Sequence, residues 1–109
     1  MLEVSKNGDI KLTRGDTAYL TVWVKIKDGE PYTVKSDDVL TLTVKRDYAD
    51  EEALIEKVIT GATTFHIEPE DTKGIAFGIY VYDVQVTMAN GDNFTVIADK
   101  KFKITNEVG

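Results

Sequence analysis

Apolar and polar residues alternate one for one along much of this chain, which is the period of a strand with one buried face. From Thr17 to Ile26, Ala18, Leu20, Val22, Val24 and Ile26 alternate with Thr17, Tyr19, Thr21, Trp23 and Lys25. The pattern returns between Asp38 and Arg46, with Leu40, Leu42 and Val44 on one side and Val39, Thr41, Thr43 and Lys45 on the other. A third run, Tyr80 to Met88, sets Tyr80, Tyr82, Val84, Val86 and Met88 against Val81, Asp83, Gln85 and Thr87, and reads as a central strand. Ala89-Asn90-Gly91-Asp92 follows it as the strongest hairpin signal in the sequence. It leads into Phe94, Val96 and Ala98, and then Phe102 and Ile104. The inward faces predict a shared interior lined by Leu20, Val22, Leu42, Val44, Phe65, Tyr82 and Val84.

Turn residues divide the rest. Asp28-Gly29-Glu30-Pro31 predicts a chain reversal, because Asp-Gly favours a turn and proline removes a ladder donor. Asn7-Gly8-Asp9 separates Leu2–Ser5 from Ile10–Thr13, giving two edge strands or one kinked strand. Good helix formers between Tyr48 and Lys57 allow a helix of a few turns. The β-branched run after Leu54 favours instead an acidic loop followed by a strand. Gly61-Ala62 turns the chain into Thr63–Glu68 with Phe65 and Ile67 inward. Pro69-Glu70-Asp71-Thr72 suits a single helical turn, with proline at its start and acids behind it. The sum is about seven or eight strands at the spacing of a sandwich. No helix separates successive strands, so parallel crossovers are unavailable and mostly antiparallel sheets are expected. The expected fold is all-β, an antiparallel β-sandwich forming a single domain over residues 1–109.

The 109 residues contain no cysteine, so disulfides and thiolate metal sites are closed off and stability must come from the core. With 42% hydrophobic and 29% charged residues, the composition is that of a folded chain. A net charge of -6 repels phosphate backbones and anionic lipid, which argues against nucleic acid and membrane partners. The N-terminus has neither a basic start nor an apolar run long enough for a signal peptide or a span, so export by the general route is not expected.

Few residues point to chemistry. His66 is the only histidine and its alternation places it outward, a solvated position without a second ligand or base nearby in the pattern. The serines have no nucleophile-elbow context, and no glycine-rich phosphate loop occurs. Asp37-Asp38 and the acids from Asp47 to Glu52 are expected as solvated turns, without the spacing of a calcium loop. No cofactor, metal or catalytic residue is expected. Arg14-Gly15-Asp16 spells an integrin-recognition tripeptide, but Gly15-Asp16 is explained as the turn that launches the strand at Thr17. Tyr19 and Trp23 share the outward face of that strand and are candidate partner-contact residues, either a glycan platform or a protein patch. The competing expectation is that a loop or the N-terminal strand covers them. Asp71, Gly78 and Tyr80 have the order of an immunoglobulin-type corner, in which a tyrosine hydroxyl satisfies backbone at one end of the sandwich.

Six strings taken together carry a resemblance. They are Thr13-Arg14-Gly15-Asp16-Thr17, Asp28-Gly29-x-Pro31-Tyr32, Leu42-Thr43-Val44-Lys45, Ile67-x-Pro69-Glu70-Asp71-Thr72, Gly78-x-Tyr80-x-Tyr82-Asp83 and Phe102-x-Ile104-Thr105-x-Glu107-Val108. In that order the chain resembles the small immunoglobulin-like domain of phage and prophage tail proteins of Gram-positive hosts, including the N-terminal region of baseplate upper proteins. The resemblance implies an immunoglobulin-like sandwich that attaches a fibre or receptor-binding protein to the baseplate. It also implies a homo-oligomer, other tail proteins as partners, a place in the virion after assembly in the bacterial cytoplasm, and no enzymatic activity. An immunoglobulin-like carbohydrate-binding or adhesin domain, using Tyr19 and Trp23, is the alternative.

Overall fold

The computed structural model describes residues 2–26 and 30–106. Among them the elements run β1 (Leu2–Val4), β2 (Ile10–Thr13), β3 (Ala18–Thr21), β4 (Lys25–Ile26), β5 (Glu30–Pro31), β6 (Val39–Lys45), β7 (Ile55–Thr60), β8 (Thr64–Ile67), α1 (Pro69–Lys73), β9 (Gly78–Thr87) and β10 (Asn93–Thr105). The fold is all-β apart from α1. The Asp28-Gly29 turn and the terminal Glu107-Val108 lie outside the described residues. No helix among the described residues is long and apolar enough to cross a membrane.

The strands form a six-stranded sheet in the order β1-β2-β10-β9-β6-β7, a two-stranded sheet β3-β8 and a small ladder β4-β5. One pairing corrects the antiparallel expectation: β2 runs parallel to β10, with Ile10 beside Phe102 and Leu12 beside Ile104. Short connections force antiparallel pairing only between strands adjacent in sequence. Here the rest of the domain is the crossover, so no dedicated helix is required. The strand total exceeds the expected seven or eight because the run Thr17–Ile26 divides and short strands appear at Leu2–Val4 and Glu30–Pro31.

That division is an exchange of partners. β3 pairs with β8 as far as Thr21 opposite Thr64, and the Val22 N–H then donates to Thr63 O at 2.8 Å. Two residues later Tyr32 N–H donates to Val24 O at 2.9 Å, and the chain continues into the β4-β5 ladder. Alternation persists across the exchange: Val22 and Val24 are buried, and Trp23 between them is exposed.

All seven residues expected to line the interior fall in one apolar cluster, joined by Ile10, Leu12, Leu40, Ile67, Val86, Phe102 and Ile104. Both larger sheets contribute to it, Ala18, Leu20, Phe65 and Ile67 from one and the inward residues of β6, β9 and β10 from the other. Each fully buried aliphatic or aromatic side chain contributes about 1.5–3 kcal/mol, and with no disulfide this cluster is the main source of stability. Register shifts in β10 between Thr95 and Ile97, and again before Lys100, place Ile97 opposite Val84 and Lys100 opposite Tyr82. Along the bulged stretch the even-numbered inward pattern is not kept, Phe94 and Ala98 being exposed, and it resumes by Phe102.

Candidate functional site

The outward face of β3-β8 and of the residues that continue β3 carries Tyr19, His66 and Trp23 away from the core. Tyr19 is 65% exposed and Trp23 83% exposed, so neither a loop nor the N-terminal strand covers them. The N-terminal strands belong to the other sheet, which corrects the expectation of a cover. Tyr19 lies in register with His66, and their rings stack at 4.7 Å between centroids and 7° between planes. Below them the Thr21 and Thr64 hydroxyls meet at 2.9 Å. Trp23 borders an open groove with Val22, Val24, Pro31, Tyr32, Val34 and Thr63, where the chain leaves β8 for β5. Stacking and amphipathic hydrogen bonding are what this face can do.

The corner residues divide into two devices. Tyr80 is buried and its hydroxyl donates to Ala76 O at 2.6 Å, pinning the loop before β9 to the strand that follows. Gly78 lies against the ring, where an added Cβ would stand 3.7 Å from Tyr80 Cε2. Asp71 acts elsewhere: in a capping box its carboxylate accepts the Glu68 N–H at 2.8 Å, and it also holds Lys57 Nζ at 2.7 Å. It thereby ties α1 to β7. Tyr82, two residues beyond Tyr80, packs edge-on against Phe102 and donates its hydroxyl to Gly8 O. Burial, with the nearby Asp9 carboxylate adding to it, pushes the phenol up to about 12.

Arg14-Gly15-Asp16 is built into the same end of the molecule. Gly15, at φ 85°, donates its N–H to Thr72 Oγ1 at 2.8 Å, and Thr72 is fully buried. The Arg14 guanidinium lies 4.1 Å over the Phe77 ring and reaches Ile75 O at 3.4 Å. The arginine head is thus engaged within the fold, and a turn is what this tripeptide provides.

Three polar residues with structural weight escaped the pattern reading. Asp38, expected in a solvated acidic turn, is 3% exposed. It accepts the Tyr32 hydroxyl at 2.6 Å and the Lys35 N–H at 2.9 Å, and the Tyr32 bond first, then the Lys35 one, holds its carboxyl below the ordinary value. Thr72 has no sequence signal beyond its place behind a proline. Asp83 projects from β9 on the outer face of the large sheet, in register with Thr43 and near the β10 bulge. Its Oδ1 is buried with no hydrogen-bond partner among the described residues, and burial pushes its carboxyl up. Among the described residues no three His, Cys, Asp or Glu side chains converge as a metal site.

No family model matches the chain, and neither a curated protein nor a solved structure matches it.

Proposed function

We propose that this chain is a non-enzymatic, immunoglobulin-like attachment module of a phage or prophage tail, binding other tail proteins through its exposed sheet surfaces. Strand order is the observation that carries the fold half of this reading. An immunoglobulin sandwich has its third, sixth and seventh strands in one sheet and its second and fifth strands in the facing sheet. Here β10-β9-β6 lie side by side in one sheet and β3-β8 form the other. Tyr80, bonded back to Ala76, takes the place of the tyrosine that closes such corners. Exposure of Tyr19 and Trp23 on one face supports a binding role, because aromatic residues are enriched where surfaces make contacts.

The test is co-purification with the baseplate and fibre proteins of a Gram-positive tail. A stoichiometric complex that is lost in Tyr19→Ala/Trp23→Ala fits the proposal, and failure to retain any tail component refutes it. The same two aromatic residues support a second reading, a glycan-binding surface. Trp23 is the only tryptophan, so its emission reports that face alone. A saturable shift on adding host-wall glycans would favour the second reading over the first.

A further inference from the structure

We infer that the free edge of β3 is a pairing seam for a second copy of this chain, joined antiparallel about a two-fold axis at Thr21; the inference deepens the attachment reading and rests on it. The hydrogen-bond phase of the strand shows which groups are free. Val22 bonds Thr63 and Val24 bonds Tyr32, so the even residues of this run point their backbone groups toward β8 and β5. The odd residues Tyr19, Thr21 and Trp23 therefore present N–H and C=O on the opposite edge, where β3 has no strand neighbour among the described residues. Such a row is a template for another strand unless it is blunted by charge, proline or a bulge.

This edge is not blunted. Thr17-Ala18-Tyr19-Leu20-Thr21-Val22-Trp23-Val24 contains no charge, proline or glycine in a chain that is 29% charged. The outer edges of the large sheet differ: β1 is three residues long with Glu3 at its centre, and β7 carries Glu56 and Lys57. The bare edge also fits itself. With the axis at Thr21, Tyr19 of each copy lies opposite Trp23 of the other, an aromatic cross-strand pair made twice on the exposed face. Lys25 lies opposite Thr17, so no like charges meet. Moving the axis to Trp23 or Tyr19 leaves a single aromatic pair, that residue facing its own copy, in place of two. A closed two-fold contact of this kind stops at two copies.

Light scattering across a concentration series should show a species of twice the 12.1 kDa chain mass. Thr21→Lys places two ammonium groups face to face on the axis and should weaken the dimer at least about tenfold. Its thermal midpoint should stay close to that of the parent, because Thr21 is exposed. The chain has no cysteine, so a single introduced thiol reads the register directly. Directly opposed residues of a hydrogen-bonded antiparallel pair stand about 5.5 Å apart at Cα, within disulfide reach. Thr21→Cys should form a disulfide dimer on oxidation, and Thr95→Cys, exposed on the other sheet, should not. A strict monomer at millimolar concentration, a dimer indifferent to Thr21→Lys, or equal cross-linking by the two cysteine variants would each overturn the seam. A monomer that still captures tail proteins sinks the seam and leaves the attachment reading standing; a dimer that captures none does the reverse.

Discussion

Removing the Tyr82 hydroxyl should change how this protein responds to alkali. The ring is 4% exposed and its phenol is raised to about 12 from an ordinary value of 10. The folded state therefore holds a proton that the unfolded chain releases between those two values. Below pH 10 the group's contribution is fully present, and it is lost as pH rises toward 12. Two units at full burial correspond to about 2.7 kcal/mol, and solvent screening near the hydroxyl brings the expected loss to roughly 1–2 kcal/mol. Tyr82→Phe keeps the edge-on contact with Phe102 and abolishes the titration, but it leaves Gly8 O without its donor. At pH 7 the variant should be about 1 kcal/mol less stable than the parent. Urea unfolding of both proteins at intervals from pH 7 to 12 gives the difference directly, since every other tyrosine is common to the two and cancels. The gap should close or reverse by pH 12. A difference that stays constant from pH 7 to 12 would refute the account of a buried phenol bonded to Gly8.

Other substitutions probe the rest of the frame. Phe65→Ala empties a fully buried site between the sheets and should cost about 3–5 kcal/mol by denaturant unfolding. Gly61→Ala combines φ 66° with a Cβ placed 3.0 Å from Ser36 O, so a loss of at least about 1–2 kcal/mol is expected in the same assay. Tyr80→Phe frees Ala76 O and should cost about 1 kcal/mol, with the thermal midpoint falling by a few degrees. The depressed Asp38 carboxyl contributes stability above its ordinary value of 3.8 that is lost as pH falls through that region. Asp38→Asn should therefore flatten the acid limb of the stability curve, and an unchanged acid limb would count against the Tyr32–Asp38 bond.

Much of this architecture could be read from alternation alone, for a physical reason. Residues such as Leu42, Val84 and Phe65 must face inward whatever strand lies beside them, so period two reports burial without reporting partners. Turn chemistry is equally local: Gly91 at φ 93° in the Met88–Asp92 turn and Pro69 at the start of α1 act through their own backbone. Tyr80 could be foreseen for the same reason, since its acceptor lies four residues upstream.

What escaped the sequence is what depends on a distant neighbour. The parallel pairing of β2 with β10 joins residues more than ninety positions apart, as in Thr105 Oγ1 to Leu12 O with a separation of 93, and no local pattern encodes it. Asp38 looks like any acid in an acidic turn until the Tyr32 hydroxyl is brought against it, and Asp83 looks like any outward carboxylate until the fold buries its Oδ1. The exposure of Trp23 belongs to the same class. Its side chain must point away from the core, but whether it meets solvent depends on which sheet the N-terminal strands join. By pairing with β10 they leave β3 without a second strand neighbour, so one long-range choice creates both the mixed sheet and the uncovered aromatic edge.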